Sequence, residues 1–282
     1  MTSIAHLGPA GSYSELAATN YAHWLKTHRN EVPPTLKPYS TISKAIQAAA
    51  AGETDTAVVP IENSIGGSVR DTLDMLWELD SLKIQNNLVI PIHHALLSQA
   101  TSLDLIKTVY SHPQALTQCQ KWLATNVPNA LQIATSSTTE ALPKLSENKT
   151  FAAISPLWAA KLYNIPTLAD PINDTPDNAT RFWVLGQNLI NHGSHTSLAF
   201  RLPDNTPGAL LKPLQLFATQ GINMSRIESR PTKLALGDYR FFIDIEASLD
   251  DPNTQAALQL LKNCTKSLKV FGSYKEIKAQ IL

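Results

Sequence analysis

Strand and helix segments alternate along the first two-thirds of the 282-residue chain, and this alternation constrains the fold more than any other feature. Short runs rich in β-branched and apolar residues are followed by stretches with apolar residues at helical spacing. The predicted strands cover residues 3–7, 56–59, 89–98, 108–111, 131–135 and 151–154. The predicted helices begin at Ser12, Ile42, Pro113 and Pro156, and one more carries Val69 and Trp77 on one face. This order predicts an α/β fold with parallel sheets covered by helices.

The order of elements changes near residue 196. Residues 188–196 are polar, contain Gly193 and have no apolar period, which is typical of a linker. The segments beyond it are a strand (197–202), a helix (207–220), two strands (223–230 and 239–247), a helix (253–264) and a strand (268–274). This βαββαβ order is typical of a ferredoxin-like fold. We therefore predict one domain over residues 1–187, a linker over 188–196 and a second domain over 197–282.

Composition excludes several classes of partner. Lys and Arg total 23, as do Asp and Glu, so the chain has no basic field for nucleic acid. The two cysteines, Cys119 and Cys264, lie far apart, and the eight histidines have no metal-binding spacing. We expect reduced thiols and no metal site.

The N-terminus lacks the pattern of a signal peptide, and no apolar run approaches the ~20 residues of a membrane span. The expected location is the cytoplasm, without a membrane partner.

The first candidate motif joins a predicted strand to a predicted helix and reads Gly8-Pro9-Ala10-Gly11-Ser12-Tyr13-Ser14. Ser12 and Glu15 have the spacing of a capping box, which marks a helix N-terminus. Free backbone N–H groups there, together with the hydroxyls of Ser12 and Ser14, could bind a carboxylate or a phosphate. The alternative is a capped turn without a ligand.

Three further segments place polar side chains next to predicted strands. Residues 60–68 bring Glu62, Asn63 and Ser64 to the end of one strand, where α/β sheets bind ligands. Residues 109–118 place Ser111 at a helix start and put Gln114 and Gln118 on one helix face, with His112 as a cap. Residues 173–185 put Thr180 and Arg181 where a polar loop enters an apolar strand. Each segment could instead be an ordinary turn or sheet edge. The loops of P-loop nucleotide-binding proteins and α/β-hydrolases are absent from the sequence.

In this order, the motifs resemble those of prephenate dehydratases. The resemblance rests on Gly8-Pro9-Ala10-Gly11-Ser12-Tyr13-Ser14, Pro60-Ile61-Glu62-Asn63-Ser64, Ser111-His112-Pro113-Gln114 and Thr180-Arg181-Phe182. The second domain contains Gly208-Ala209-Leu210 and Glu228-Ser229-Arg230-Pro231, which resemble the phenylalanine-binding motifs of ACT domains fused to such enzymes. The resemblance covers nearly the whole chain.

The resemblance implies a two-lobed catalytic domain, like that of periplasmic binding proteins, followed by a ferredoxin-like ACT domain. The implied reaction converts prephenate into phenylpyruvate, water and carbon dioxide without a cofactor, under feedback by L-phenylalanine, in a homodimer or homotetramer. The implied catalytic residues are Thr180, Glu62, Asn63, Ser111 and Gln118. The implied substrate-binding residues are Ser12, Tyr13, Ser14, Ser64, Arg181 and Phe182. The implied phenylalanine-binding residues are Gly208, Ala209, Leu210, Glu228, Ser229, Arg230 and Pro231.

Two other functions remain open at this point. An arogenate dehydratase performs the same chemistry on the transaminated substrate, and the motifs do not separate the two enzymes. A non-catalytic amino-acid sensor would combine a similar two-lobed fold with a ligand-binding domain. Within the enzyme hypothesis, Thr180 is expected to polarise the leaving oxygen, Glu62 is the alternative acid, and Arg181 would help bind a carboxylate if it points inward.

Overall fold

The structure is a computed structural model that describes residues 2–29 and 32–279. Its helices are α1 (Tyr13–Arg29), α2 (Ile42–Ala50), α3 (Arg70–Glu78), α4 (Pro113–Gln118), α5 (Gln120–Asn126), α6 (Leu157–Tyr163), α7 (Leu211–Thr219) and α8 (Pro252–Cys264). Its strands are β1 (Ser3–Leu7), β2 (Thr35–Tyr39), β3 (Thr56–Asn63), β4 (Gly67–Ser68), β5 (Lys83–Pro91), β6 (His94–Ser98), β7 (Thr108–Ser111), β8 (Leu131–Ala134), β9 (Phe151–Pro156), β10 (Thr167–Ala169), β11 (Ala179–Gly186), β12 (His195–Arg201), β13 (Met224–Pro231), β14 (Tyr239–Ile245) and β15 (Ser267–Lys278).

Two sheets form two lobes, which confirms the predicted two-lobed α/β architecture. In the first lobe the strand order is β5-β11-β3-β1-β2, and in the second lobe it is β10-β6-β9-β7-β8. The prediction of purely parallel sheets was wrong. β1 is parallel to β2 and β3, but β11 is antiparallel to both of its neighbours, and β6 is antiparallel to β9. β11 is antiparallel to its neighbours because the chain returns from the second lobe to complete the sheet of the first.

The segment predicted as one strand over residues 89–98 is two strands in two different sheets. β5 ends at Pro91, β6 begins at His94, and the chain crosses between the lobes at the two intervening residues. Apolar residues continue on both sides of the crossing because both strands are buried, and the signals of the break that the prediction missed are Pro91 and the pair His93-His94. The return crossing precedes β11. The two crossings form the hinge between the lobes.

Helical segments of the second lobe are shorter than predicted. The helix that starts at Pro113 is interrupted at Cys119 and continues as α5. Ser137 and Glu140 have the capping-box spacing that predicts a helix N-terminus, and Ser137 accepts a hydrogen bond from the backbone N–H of Glu140 at 3.1 Å. Only the 3-10 helix Leu142–Ser146 follows that cap. The capping signal therefore identified a turn rather than an α-helix.

The C-terminal region has the predicted βαββαβ order and forms an antiparallel arrangement, β13-β14-β12-β15. Its core joins Phe200, Phe217, Ile243 and Leu261, which come from both helices and the central strands. Helix α7 begins at Leu211, four residues later than predicted, because residues 207–210 form a turn. The ferredoxin-like prediction is confirmed.

β15 connects the two regions. Its first half pairs with β12, and residues Lys275–Lys278 pair in parallel with β5 of the first lobe. Among the described residues, one ten-stranded sheet therefore runs from the C-terminal region through the first lobe. A shared apolar cluster packs Trp183 of the first lobe with Phe242, Phe271 and Tyr274 of the C-terminal region. The predicted boundary at 188–196 stays a prediction. Residues 1 and 280–282, at the ends of the two predicted domains, lie outside the described residues.

None of the described helices has both the length and the apolar character that crossing a membrane requires.

Gly193 provides a test of how the segment before β12 packs on β15. A Cβ atom at Gly193 would collide with the backbone of Tyr274, which cannot move aside as a flexible side chain can. We expect Gly193→Ala to lower the free energy of unfolding by about 1–3 kcal/mol, as overpacking typically does. The measurement is urea denaturation followed by circular dichroism. Gly186→Ala is the matched control, because the atoms nearest to its Cβ belong to the movable side chain of Gln85. Equal losses in both variants would contradict the packing.

Candidate active site

The pairing of β3 with β11 sorts the candidate residues onto two sides of one sheet. Asn63 is the register partner of Thr180, and Glu62 is the register partner of Arg181. Because successive side chains of a strand point to opposite faces, the two pairs face in opposite directions. Asn63 and Thr180 lie toward the cleft between the lobes, whereas Glu62 and Arg181 contact the C-terminal region.

Asn63 is the centre of a hydrogen-bond network in the cleft. Its Oδ1 accepts from the backbone N–H groups of Gly66 at 2.7 Å and Ile65 at 3.2 Å. A backbone N–H can only donate, so this contact fixes the orientation of the Asn63 amide. Its Nδ2 must then donate, and it does so to Thr180 Oγ1 at 3.0 Å and to Asn178 Oδ1 at 2.8 Å.

The network crosses to the second lobe through α4. Gln118 donates from Nε2 to Asn63 Oδ1 at 3.2 Å, and Gln114 does the same at 3.2 Å. Gln118 Oε1 accepts from Asn178 Nδ2 at 3.1 Å and lies 2.9 Å from Nε2 of His94. Nε2 of His94 must therefore carry a proton. Burial lowers the pKa of His94, so the ring is a neutral imidazole that is protonated on Nε2.

The fixed direction of these bonds determines what Thr180 can do. Its oxygen already accepts from Asn63, and its hydroxyl proton is donated to no described residue. Thr180 is 9% exposed, at the point where the two lobes meet. The side chain is therefore held as a hydrogen-bond donor toward a molecule in the cleft.

Other predicted residues take supporting positions. Ser64 donates to Asn178 Oδ1 at 3.3 Å and accepts from the N–H of Ala179 at 3.0 Å, so it holds the start of β11. Ser111 is buried and donates to the backbone oxygen of Ile154 at 2.7 Å, outside the network. Phe182 is 1% exposed within the core between α1 and the sheet. Both side chains are buried, and the roles of Ser111 in catalysis and of Phe182 in substrate binding stay predictions.

The N-terminus of α1 is partly occupied by the chain itself. Ser12 Oγ accepts from the N–H of Glu15, and the Glu15 carboxylate accepts from the N–H of Gly11 at 2.6 Å. That carboxylate occupies the place that the sequence suggested for a bound anion. Ser14 is buried, and Tyr13 donates to the backbone oxygen of His93 at 2.7 Å. Tyr13 Oη also lies 3.3 Å from Nδ1 of His94, which ties α1 to the network.

A charge cluster lies on the other side of the sheet. Arg181 binds Asp244 of β14 at 2.6 Å and Glu62 at 3.1 Å. Arg226 of β13 lies 3.6 Å from Glu62 and 4.0 Å from Asp244. Burial is the largest single influence on Arg181 and lowers its pKa, but Asp244, Tyr274 and Glu62 together raise the pKa above its usual value. Strand alternation thus places Glu62 and Arg181 on the face opposite Thr180, so the condition that Arg181 point inward is not met, and the catalytic role of Glu62 stays a prediction.

The predicted effector motifs also contact the first lobe. Glu228 accepts from the hydroxyl of Ser68 on β4 at 2.9 Å, and Arg230 binds Asp74 on α3 at 3.1 Å. Ser229 and Pro231 complete that strand, and Gly208-Ala209-Leu210 form the turn before α7. Gly208 has φ +81°, a left-handed conformation that favours glycine.

Sequence reasoning missed four residues of these two clusters, namely His94, Asn178, Arg226 and Asp244. Asn178 lies two positions before Thr180, within a segment already singled out, so its position could have suggested a role. The other three carry no local signal, because their partners are distant in sequence. The described residues contain no cluster of three or more His, Cys, Asp or Glu that could hold a metal ion.

Comparison with known families decides the relationship. The family model for prephenate dehydratase matches residues 4–189, and that for the ACT domain matches residues 196–261. The chain belongs to the prephenate dehydratase family. Its relatives include the prephenate dehydratase of Lactococcus lactis subsp. cremoris, which is 36% identical, with 96% of each chain covered.

Two solved structures share the whole fold. The prephenate dehydratase of Arthrobacter aurescens, in complex with L-Phe, has a TM-score of 0.86 and 33% identity, with 98% of this chain and 90% of that chain covered. A protein described as a novel type of quorum quenching acylase has a TM-score of 0.83 and 27% identity, with 98% of each chain covered. Since one fold carries two described activities, the residues of the site must decide between them.

The neutral state of His94 has a consequence for acid stability. Burial lowers the pKa of His94 in the folded chain below its ordinary value of about 6.5. At a pH between the lowered and the ordinary pKa, the unfolded chain binds a proton at His94 that the folded chain does not bind. Stability is therefore lost as the pH falls below about 6.5. In His94→Gln we expect the unfolding free energy to fall less steeply with decreasing pH, by up to about 1.4 kcal/mol per pH unit. The measurement is urea unfolding between pH 7.5 and about 5, within the His range. His192→Gln, at an exposed position, is the control, and identical slopes in wild type and His94→Gln would contradict the assignment.

Proposed function

We propose that the chain converts prephenate into phenylpyruvate, water and carbon dioxide in the biosynthesis of L-phenylalanine, which makes it a carbon–oxygen lyase. Membership of the prephenate dehydratase family supports the reaction. The observation that carries the proposal is the hydroxyl of Thr180, which is buried at the cleft and keeps its proton free for a ligand. No cofactor is needed for this chemistry, because the substrate itself supplies the driving force.

Prephenate carries a carboxylate and a hydroxyl on opposite sides of its ring, and losing both makes the ring aromatic. The protein must bind the dianion and stabilise the hydroxide as it leaves, which requires a hydrogen-bond donor. In our proposal Thr180 donates to the leaving oxygen. Asn63 holds the Thr180 oxygen, and Gln118 holds Asn63 across the cleft. Because an alcohol is a weak acid, Thr180 acts by polarising the leaving group.

Glu62 receives a different role in this proposal. Its carboxylate lies 3.1 Å from Arg181 and 3.6 Å from Arg226, on the side of β3 that faces away from Thr180. A general acid must reach the leaving group, so this position favours Thr180 over Glu62 as the donor. We propose that Glu62 and Arg181 fix the strand that carries Thr180. Ser12, Tyr13, Ser14 and Ser64 are proposed as substrate-binding residues on the family resemblance alone, since in the described chain Ser12 caps α1, Tyr13 bonds to His93 and Ser64 holds β11. Ser111 and Phe182 are structural supports in this proposal.

We propose that L-phenylalanine regulates the enzyme through the two motifs at residues 208–210 and 228–231. The relative from Arthrobacter aurescens was solved with L-Phe, which supports a phenylalanine site in the family. In this chain Glu228 already holds Ser68 on β4, and β4 pairs with the end of β3 that carries Asn63. Arg226 also donates to Ser68 at 2.8 Å, so a ligand that draws Glu228 toward itself would remove one of two contacts on Ser68, loosen β4 and so disturb Asn63.

The acylase activity described for the structural relative needs an activated nucleophile, and neither Ser111 nor Cys119 offers one. Ser111 donates to a backbone oxygen instead of a base. Burial raises the pKa of the Cys119 thiol to about 12, so the thiol stays protonated. Arogenate dehydration and amino-acid sensing without catalysis remain the alternatives, and substrate assays separate them.

We further propose a homodimer or homotetramer in the cytoplasm. Leu211, Leu234 and Leu236 of the C-terminal region are 65%, 74% and 106% exposed, which favours self-association through that region. Both cysteines are free thiols, as is typical of proteins in a reducing compartment.

The test of the reaction is the ultraviolet absorbance of phenylpyruvate formed from prephenate, with and without L-phenylalanine. Turnover that L-phenylalanine suppresses would support both parts of the proposal. Turnover at the same rate with and without L-phenylalanine would support only the catalytic part. Turnover of arogenate alone would assign the chain to the arogenate dehydratases, and no turnover of either substrate would favour the sensor.

Thr180→Val removes the hydroxyl and keeps the shape of the side chain. We expect kcat to fall by about 10²–10⁴-fold with KM nearly unchanged, because the bond to the leaving oxygen forms mainly in the transition state. Thr180→Ser retains the hydroxyl and should keep most of the activity. Steady-state kinetics of both variants provide the measurement. An unchanged kcat in Thr180→Val would remove Thr180 from the mechanism.

Ser68→Ala tests the proposed route of regulation. The variant removes the partner that Glu228 holds in the ligand-free chain, so L-phenylalanine no longer competes with that contact. We expect kcat without L-phenylalanine to fall toward that of the inhibited wild type, and L-phenylalanine to bind about tenfold more tightly, within the usual range of allosteric coupling. Ser225→Ala on the same strand is the control, because Ser225 bonds only to the backbone oxygen of Asp244 among the described residues. Equal inhibition of wild type and Ser68→Ala would refute the route.

A further inference from the structure

A cavity of about 440 Å³ lies between the lobes, on the side of the hinge where α1 faces α6. Helix α1 contributes Tyr13, Leu16 and Asn20, and the second lobe contributes Pro156, Leu157, Trp158 and Lys161. Both hinge crossings line it as well, through Ile90, Pro91 and His93 on one side and Asp170 and Pro171 on the other. The cavity therefore touches every element that must move when the lobes open or close.

The hinge cavity is separate from the candidate active site. Asn63, Gln118 and Thr180 do not line it. Tyr13 is the point of contact between the two, because it lines the cavity and hydrogen-bonds the backbone of His93 beside the network residue His94. Burial raises the pKa of Tyr13 well above its usual value, so the phenol stays protonated as a donor.

The lining has the chemistry of a site for a small amphiphilic molecule. Leu16, Ile90, Leu157 and Trp158 give apolar walls, and the volume falls within the range of about 300–1,000 Å³ typical of small-molecule sites. Lys161 and Asp170 supply one positive and one negative charge. Both are exposed, and within the described chain neither forms an ion pair with another residue.

We propose that the hinge cavity binds a free amino acid with a large apolar side chain. Lys161 would bind the α-carboxylate, Asp170 the α-ammonium group, and the apolar walls the side chain. One cation and one anion match a zwitterion, whereas a dianion such as prephenate would be repelled by Asp170. The cavity is therefore a second ligand site rather than an extension of the active site.

Binding at this position would bias the hinge. A ligand that touches α1, α6 and both crossings at once binds best in one relative position of the lobes and shifts the population toward it. The described position of the lobes is a closed one, since Gln118 reaches Asn63 across the cleft. The amino acid thus favours the closed state and holds Tyr13 against the hinge.

The test is calorimetric titration of the full chain with L-phenylalanine, L-tryptophan and L-leucine. We expect at least one of them to bind at the cavity, and Lys161→Gln and Asp170→Asn each to weaken that binding about tenfold or more, as loss of a charge-assisted bond does. Lys144→Gln, an exposed lysine on the same lobe, should leave it unchanged. In wild type the ligand should also quench Trp158, a signal that Trp158→Phe removes. Binding to the ACT motifs would survive all of these substitutions, so failure of the proposed regulation and failure of this site give different results.

Three results would overturn the proposal. One is the lack of any heat or fluorescence change with the three amino acids at millimolar concentration. Another is binding that neither Lys161→Gln nor Asp170→Asn weakens. The third is loss of an oligomer in Leu157→Arg by sedimentation, because the cavity would then be covered by a second copy of the chain. Circular dichroism of each variant confirms that the fold is retained.

Discussion

The antiparallel pairing of β3 with β11 is the constraint on which the rest of this structure depends. It sets Asn63 opposite Thr180 and Glu62 opposite Arg181. Since side chains alternate along a strand, a shift of one residue would exchange the two pairs between the cleft and the C-terminal region. The register is held by the buried Phe182 and its neighbours, which are apolar on both faces of the sheet. Core packing therefore decides which polar groups reach the cleft.

Within the cleft, a backbone group sets the direction of every hydrogen bond. The N–H of Gly66 can only donate, so Asn63 must accept there and donate to Thr180. Because Asn63 Oδ1 accepts, Gln118 must donate to it from Nε2, and Gln118 Oε1 then accepts from the protonated Nε2 of the neutral His94 imidazole. The side chains that fix these donors and acceptors are neutral, so the network places no charge beside the position proposed for a dianionic substrate. The network thus keeps Thr180 as a donor at little electrostatic cost.

On the other face, the same strands carry the charges that join the catalytic and regulatory regions. Asp244 is 1% exposed and binds both Arg181 and Ser197. Removing one partner of such a buried pair typically costs about 3–5 kcal/mol, because it leaves an uncompensated charge. The shared strand β15 and the apolar cluster around Trp183 make the same junction rigid. A change in the regulatory region can therefore reach Thr180 through one residue, Arg181, next to it in sequence.

The sequence by itself determined the α/β class, the βαββαβ order of the C-terminal region and the motifs that contain Asn63, Gln118 and Thr180, because these depend on local periodicity and short spacings. It could not determine which side of β3 and β11 faces the cleft, since both sides carry polar residues and the register depends on distant packing. Apolar periodicity also missed the break between β5 and β6, because buried apolar residues flank Pro91 and His93 on both sides. The partners of His94 and Asp244, and the cavity at the hinge, join segments far apart in the chain. Only the tertiary structure brings those segments together, because the contacts that do so are made between sheets and lobes rather than along the sequence.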